Sequence, residues 1–291
     1  MSARTAVRLL DGRFLPASLA GVPLDDRGLN YGEGLFETLR LYGGRAFEAE
    51  AHFARLSRGA KTLGIRLPFG AREFRRFVEA LGRKNGAPSA RVRFTVTAGS
   101  GEEGPARTFA VLEPYDSKDP FARECADGVR AILSSVRRPA WDLWRVKSLN
   151  YLSSRIAWRE ARRAGAFEGL LLSPEGFLLE GSRTNLFLAG RGRGGAKALL
   201  EPDPALGLLP GVTAALVRSL ARRLGLRVER ARIRREDLFR ASEAFLTNSV
   251  AEIVPLVRVG ARRVGAGRPG PATRALQAAY RSAVARACGG K

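Results

Sequence analysis

The alternation of apolar and polar residues in the first part of the chain predicts short strands followed by helices. The segment 34–42 alternates and ends at Gly43-Gly44, which is the pattern of a half-buried strand. Apolar residues at spacings of three and four predict two helices, at about 50–64 and 71–84. The other predicted strands of this α+β unit lie at 7–14, 90–98 and 109–112.

The composition changes at residues 113–120, a polar stretch bounded by prolines that predicts a linker. We therefore predict an N-terminal α+β domain at 1–115, a linker at 116–125 and a C-terminal α/β domain at 126–291. The strands predicted in the second domain lie at about 129–134, 169–173, 177–179, 185–188, 198–201 and 243–247. Its predicted helices lie at about 150–164, 211–225 and 271–287.

Length and composition favour a protein with a large core. The 291 residues are 45% hydrophobic, and no apolar run approaches the roughly 20 residues that span a bilayer. The N-terminal segment meets Asp11-Gly12 too early for a secretory signal. Cys125 and Cys288 stand far apart without metal or redox spacing, so we expect free thiols in a reducing compartment. These features predict a cytoplasmic protein without a membrane partner.

The formal net charge of +22 invites a nucleic-acid function. The basic residues are spread over the whole chain, and no stretch resembles a nucleic-acid module with interleaved aromatic residues. Solvated helix faces are therefore the preferred interpretation. Attraction of small anions and nucleic-acid binding remain the alternatives, and we do not expect nucleic acid as the partner.

A single histidine excludes several enzyme classes. His52 cannot form a metal cluster alone, and no aspartate or cysteine stands at a spacing typical of a nucleophilic triad. We therefore predict no metal site. Because His52 lies at the start of a predicted amphipathic helix, we expect its role to be structural.

One lysine stands out in a chain that otherwise uses arginine. Only six of the 50 basic residues are lysines, and Lys147 is followed 33 positions later by Glu180 at a predicted strand end. A lysine amine forms a Schiff base with pyridoxal phosphate, which an arginine cannot do. A carboxylate facing the pyridine nitrogen keeps that nitrogen protonated. The pair therefore suggests a pyridoxal-phosphate site, whereas Glu180 alone would suggest a surface acid before a turn.

The chain also offers an anion site for a phosphate. The segment 210–213 (Pro-Gly-Val-Thr) opens a predicted helix, where backbone amides, a threonine hydroxyl and the helix dipole favour a dianion. The cluster Thr247-Asn248-Ser249 follows an apolar strand, and Arg55 would add a bidentate donor. Each signal has an ordinary structural alternative, such as a proline-glycine turn, but their order along one chain is more specific.

These motifs together resemble a known family, the fold-type IV pyridoxal-phosphate enzymes. This class-IV aminotransferase group includes branched-chain aminotransferases, D-amino acid aminotransferases and aminodeoxychorismate lyases. The resemblance covers roughly residues 5–285, and its matching pieces lie at 26–38, 52–56, 147–152, 180–187, 209–213 and 247–249.

The resemblance implies a two-domain α/β (α+β) fold, similar to D-amino acid aminotransferase, with the cofactor in the interdomain cleft. It also implies a homodimer whose partner helps close the site. By this resemblance Lys147 is the Schiff-base residue and proton-transfer group, and Glu180 is the partner of the pyridine nitrogen. Tyr151 would lie near the phenolic oxygen of the ring. The remaining cofactor-binding residues implied, all at the phosphate, are Arg55, Val212, Thr213, Ser249 and the adjacent Asn248.

Within the family, the chain most resembles the bacterial aminodeoxychorismate lyases. Thr38 stands at a position where the lyases tend to carry threonine and the branched-chain aminotransferases tend to carry glycine. We assign Thr38 a catalytic role near the departing enolpyruvyl group. Tyr31 and either Arg91 or Arg93 are the expected substrate-binding residues, the arginine depending on which strand face points inward. The predicted reaction converts 4-amino-4-deoxychorismate to 4-aminobenzoate and pyruvate in folate biosynthesis. The alternative is an aminotransferase for D-amino or branched-chain amino acids with a keto-acid acceptor, because the motifs serve both reactions.

Overall fold

The computed structural model describes residues 6–102, 104–116 and 119–289. The chain divides into two compact units. The first unit comprises Met1–Pro120, Val146–Asn150 and Val284–Lys291, and the second comprises Phe121–Arg145 and Tyr151–Ala283. Ser117 and Lys118 of the predicted linker lie outside the described residues. The predicted domain limits and the predicted cofactor cleft stay predictions.

The first unit is built on a six-stranded antiparallel sheet of order β2-β1-β6-β5-β3-β4. Its strands are β1 (Val7–Leu10), β2 (Arg13–Pro16), β3 (Gly34–Tyr42), β4 (Arg45–Ala46), β5 (Ala90–Thr97) and β6 (Arg107–Pro114). Its helices are α1 (Arg27–Asn30), α2 (Ala49–Thr62) and α3 (Ala71–Lys84).

One face of this sheet packs on α2 and α3. Leu35, Leu39 and Leu41 of β3 belong to the same buried cluster as apolar residues of β5 and both helices. Successive strand residues point to opposite faces, so Phe36, Thr38 and Arg40 line the other face. Strand β3 therefore carries an apolar face toward the helices and a face with polar and aromatic side chains away from them.

Helix α3 has the start signal, the stop signal and the apolar spacing by which a helix is predicted from sequence. Glu73 accepts a hydrogen bond from the Gly70 amide at 3.3 Å in the first turn, and Gly86, with φ of +59°, follows the last turn. The buried residues of α3 recur at spacings of three and four, at Phe74, Phe77, Val78 and Leu81.

The second unit contains a nine-stranded mixed sheet in its described residues, of order β12-β11-β10-β13-β14-β7-β8-β9, with β15 beside β14. Its strands are β7 (Val129–Arg137), β8 (Glu168–Leu172), β9 (Leu178–Gly181), β10 (Asn185–Arg191), β11 (Lys197–Pro202), β12 (Val228–Ala231), β13 (Glu243–Asn248), β14 (Glu252–Val259) and β15 (Arg262–Arg263). Its helices are α4 (Ala122–Asp127), α5 (Leu152–Arg163), α6 (Val212–Arg223), α7 (Arg235–Arg240) and most of α8 (Pro271–Cys288).

One buried apolar cluster of the second unit joins several strands of its sheet. Leu170, Leu178, Leu186, Leu246 and Leu256, from five different strands, are fully or almost fully buried in one cluster. In the described part of the chain, no helix is long and apolar enough to cross a membrane.

Candidate active site

The segment that carries Lys147 is attached to the start of β3 in the first unit. The Phe36 amide donates to the Lys147 carbonyl at 2.9 Å, and the Leu149 amide donates to the Gly34 carbonyl at 2.9 Å. Position 34 requires glycine, because a Cβ atom there would meet a methyl of Leu149 and the Val96 carbonyl oxygen, both at 2.6 Å. Close approach at this glycine therefore fixes the backbone of the lysine segment.

The Lys147 amine lies over the ring of Phe36, and so does a guanidinium. The Lys147 Nζ atom is 4.5 Å from the ring centroid, and the Arg93 Cζ atom is 3.6 Å from it. Thr38 is the direct cross-strand partner of Arg93, so both side chains leave the same sheet face. An amine and a guanidinium thus lie beside one aromatic ring, on the sheet face that also carries Thr38.

The two candidate arginines differ in their neighbours and not in their sheet face. Arg91 and Arg93 are two residues apart on β5, so they point to the same side, and the expected choice by strand face does not separate them. Arg91 forms an exposed ion pair with Glu113 at 2.8 Å, whereas Arg93 stacks on Phe36. Arg93 is the arginine placed beside Lys147.

On the reverse face of β3, Glu37 binds Arg55 and His52 of α2. Arg55 Nε donates to one carboxylate oxygen at 2.8 Å, and Arg55 Nη2 donates to the other at 2.6 Å. His52 Nδ1 lies 2.7 Å from that second oxygen. Glu37 is fully buried, and the other two residues are at least nine-tenths buried. His52 is therefore part of a buried network, which agrees with the structural role expected for it.

The pKa values in this network have clear causes. Burial alone would raise the pKa of Glu37, but the charge and hydrogen bonds of Arg55 and then His52 bring it down to about 2. Burial lowers the pKa of His52, against the pull of Glu37, and the charges of Arg55 and Lys147 lower it further. At neutral pH Glu37 is therefore an anion and His52 is neutral. Because the carboxylate can only accept, His52 donates from Nδ1.

This network is expected to make the protein sensitive to acid. The pKa of Glu37 is about 2 in the fold against an ordinary 4.5, so its contribution of about 3 kcal/mol is present above pH 4.5 and is lost toward pH 2. The lowered pKa of His52 adds a further loss that begins below about pH 6.5. Urea unfolding between pH 7 and 3 measures both. In His52→Asn the decline between pH 7 and 5 should flatten, and an unchanged decline would contradict the assignment.

In the second unit, Glu180 at the end of β9 is buried and held by three donors. Arg138 Nη2 donates to it at 2.5 Å, Asn185 Nδ2 at 3.2 Å and the Leu209 amide at 3.3 Å. Arg138 also donates to the Gly207 carbonyl at 3.2 Å and lies 5.2 Å from the Trp144 ring. The carboxylate is therefore oriented from several sides, with a buried arginine as its counter-ion.

The turn after Glu180 is organised by a second buried carboxylate, Glu168. Its oxygens accept from the amide and hydroxyl of Ser182, the amide of Arg183 and the hydroxyl of Thr184. The Tyr151 hydroxyl donates to the Ser182 carbonyl at 3.1 Å. Tyr151 is thus placed on the turn that follows Glu180.

The start of α6 brings two predicted phosphate ligands together. The Thr213 hydroxyl donates to the Ser249 hydroxyl at 3.4 Å, and both Val212 and Thr213 are buried in the first turn. Position 211 precedes the helix, and a Cβ atom there would meet the Asn185 amide oxygen at 1.9 Å. Glycine is therefore required where the first amides of α6 emerge.

Asn248 and Tyr31 are two further residues that were predicted for the site. The Asn248 side chain accepts from the amides of Val250 at 2.9 Å and Ala251 at 2.7 Å, so it shapes the turn after β13. Tyr31 is 69% exposed in a loop of the first unit. That loop is anchored by the buried Asp26, which accepts from the Thr97 hydroxyl at 2.7 Å.

A model of the amino-transferase class IV family matches residues 34–259, which include the lysine segment, Glu180 and the start of α6. The chain belongs to the class IV aminotransferase family. It is 35% identical over 281 residues to a putative branched-chain-amino-acid aminotransferase of Methanocaldococcus jannaschii, covering 94% of each chain. It is 31% identical over 290 residues to the aminodeoxychorismate lyase of Bacillus subtilis, again covering 94% of each.

A solved relative supports the fold of this class IV aminotransferase. A T.th. branched-chain amino acid aminotransferase with pyridoxamine 5′-phosphate matches with a TM-score of 0.85 and 29% identity, covering 97% of this chain and 95% of that one. The predicted fold class, family and enzyme class are thereby confirmed. The predicted pyridoxal cofactor is of the kind that this solved relative carries.

Three residues that contact predicted site residues of this class IV aminotransferase were not themselves predicted: Phe36 beside Lys147, Glu37 on Arg55 and Arg138 on Glu180. Glu37 occupies the apolar phase of β3, between Leu35 and Leu39, and a carboxylate in that phase requires a partner. That signal is present in the sequence. Arg138 stands among many arginines, so nothing in the sequence marks it.

Proposed function

We propose that this class IV aminotransferase binds pyridoxal 5′-phosphate through the amine of Lys147. The side chains present fit this group, because a primary amine, a buried carboxylate and a set of phosphate donors are all available. The bound cofactor would supply an electron sink at the carbon that carries the substrate amine. Lys147 would take the proton from that carbon, as a positioned base does.

Glu180 keeps the pyridine nitrogen protonated in this proposal. Its support is the ion pair with Arg138 at 2.5 Å, which stabilises the carboxylate as an anion in a buried place. Asn185 and the Leu209 amide restrict its direction further. Tyr151, on the turn after Glu180, is proposed to contact the phenolic oxygen of the ring.

The phosphate would be bound by the first turn of α6 and by neighbouring hydroxyls. Val212, Thr213 and Ser249 offer amides and hydroxyls, and the start of a helix of 12 residues favours an anion. Arg55 would add a charged donor. Asn248 would contribute by shaping the turn on which Ser249 lies.

The substrate is proposed to be an amine with carboxylate groups, and 4-amino-4-deoxychorismate is the candidate that fits best. The observation that carries this choice is Arg93, whose guanidinium lies 3.6 Å from the ring that also contacts Lys147. An aliphatic side chain would gain little beside Arg93 and Thr38, whereas a carboxylate gains a charge-assisted contact. Thr38 would donate to the departing enolpyruvyl group, giving 4-aminobenzoate and pyruvate.

Transamination is the second candidate, and a specific observation favours it. The M. jannaschii relative is 35% identical and carries the name of a branched-chain aminotransferase, against 31% for the lyase. In that reaction Lys147 would move its proton between the substrate carbon and the cofactor. D-amino acids and branched-chain amino acids are the substrates to test, with a keto-acid acceptor.

One pair of assays separates the two reactions. In the first assay the purified enzyme is incubated with 4-amino-4-deoxychorismate, and the release of 4-aminobenzoate and pyruvate is measured. In the second assay it is incubated with D-alanine or L-leucine and 2-oxoglutarate, and transamination is measured. We expect release of 4-aminobenzoate, and in Arg93→Gln a KM raised about tenfold or more. The control Arg91→Gln, on the same sheet face, should leave KM within about twofold. Rapid transamination without 4-aminobenzoate would instead support the second candidate.

We also propose a homodimer in the cytoplasm. The dimer is supported by large apolar side chains on the surface of the first unit, since Leu24 is 86%, Tyr31 69% and Leu29 60% exposed. The compartment is supported by Cys125 and Cys288, which form no disulfide within the described part of the chain. Light scattering that gives a single-chain mass at micromolar concentration would contradict the dimer.

A further inference from the structure

Glu37 lies on the reverse of the strand segment that carries Phe36 and Thr38, and it binds the arginine assigned to the phosphate. We propose that Glu37 is a positioning residue, which fixes the direction of the Arg55 guanidinium and thereby sets the affinity for the cofactor phosphate. This inference rests on the proposed role of Arg55. In this role Glu37 touches neither the substrate nor the reacting atoms.

The geometry requires a carboxylate at position 37. Three N–H groups converge on its two oxygens: Arg55 Nε at 2.8 Å, Arg55 Nη2 at 2.6 Å and His52 Nδ1 at 2.7 Å. An amide has one acceptor oxygen and adds two donors. In Glu37→Gln, either orientation of the amide therefore places an N–H group against a donor of Arg55. His52 can adapt by changing its tautomer, but a guanidinium cannot.

Charge balance explains why direction matters here. Arg55 and Glu37 form a buried pair with no net charge, and His52 beside them is neutral because burial lowers its pKa. The pair therefore attracts a distant phosphate only weakly by charge. What Arg55 offers is a planar donor held at a fixed angle, and such donors bind phosphate best when they are preorganised.

Two cofactor forms separate a phosphate effect from general damage. The dissociation constants of pyridoxal phosphate and of pyridoxal, which lacks the phosphate, are measured by absorbance for wild type and Glu37→Gln. We expect the variant to bind pyridoxal phosphate at least about tenfold more weakly, and pyridoxal within about twofold of wild type. Equal weakening of both forms would overturn the proposal, because Glu37 would then support Lys147 or the fold.

Two further variants serve as comparisons for Glu37→Gln. His52→Asn retains an N–H donor near the Nδ1 position, so the affinity for pyridoxal phosphate should change less than about threefold. Glu243→Gln removes another buried carboxylate, which accepts from the Ala272 and Thr273 amides at the start of α8. It should leave both dissociation constants within about twofold, and a phosphate-specific loss in this control would contradict the proposal.

A second variant covers the case in which Glu37→Gln does not fold. Glu37→Asp keeps the charge and both oxygens but draws them back by one methylene group, and it should show the same phosphate-specific loss in a smaller amount. A pyridoxal phosphate affinity equal to wild type would contradict the positioning role. If wild type binds neither form of the cofactor, the proposed function fails, and this outcome is distinct from failure of the inference.

Discussion

Lys147→Arg is expected to lower the turnover number by at least about 10³-fold while the protein stays folded. The guanidinium keeps the positive charge and can still stack on Phe36, which the Lys147 Nζ atom contacts at 4.5 Å from the ring centroid. It cannot bind the cofactor covalently and does not exchange a proton near neutral pH. The variant therefore separates the chemistry of the amine from its charge.

The measurement combines steady-state kinetics with the visible absorbance of the purified protein. Wild type should be yellow, whereas Lys147→Arg should lose the band of the covalently bound cofactor. Lys61→Arg, an exposed lysine of α2 in the same unit, is the matched control and should keep both the colour and the rate. A Lys147→Arg variant with wild-type turnover would refute the role assigned to this residue.

Glu180→Gln is expected to reduce turnover on the order of 10²-fold, because an amide removes the charge that we propose keeps the pyridine nitrogen protonated. The same change leaves Arg138 buried without its counter-ion, and breaking such a pair costs about 3–5 kcal/mol of stability. Kinetics and urea unfolding should therefore both change. A loss of stability alone would assign Glu180 a structural role only.

A pH titration of the cofactor absorbance distinguishes the two effects. In Glu180→Gln the spectrum of the bound cofactor should correspond to an unprotonated ring nitrogen at neutral pH, while wild type retains the proton. Glu168→Gln is the control for a second buried carboxylate nearby in the chain, one that binds the turn at Ser182. It should destabilise the protein without the spectral change.

Much of the fold follows from local patterns. The predicted strand at 34–42 and the predicted helix at 71–84 have the same limits in the structure, because the alternation ends at a glycine and the three-four spacing ends at an asparagine. Helices α4 and α7 were not predicted, since each has only six residues and too few apolar positions for a period. Strand β12 was not predicted for a similar reason.

Candidate site residues could be predicted where a short sequence motif contains the residue types that the chemistry needs. Prediction was weaker where contacts between residues far apart in the chain determine the arrangement. Lys147, Glu180 and the start of α6 were predicted as site residues from residue types and order. The preference for Arg93 over Arg91 depends on the ring of Phe36 and on Glu113, which belong to two other strands. The partner of Glu180 is 42 positions away at Arg138, one arginine among many, so only the fold identifies it.

The most direct test of the account is reduction of the purified holoenzyme with borohydride, followed by tryptic digestion and mass spectrometry. Reduction makes the link between cofactor and lysine permanent. We expect the pyridoxyl group on Lys147, in the peptide that continues through Ser148. A label on another lysine, such as Lys61 or Lys84, or no label after incubation with excess cofactor, would contradict it.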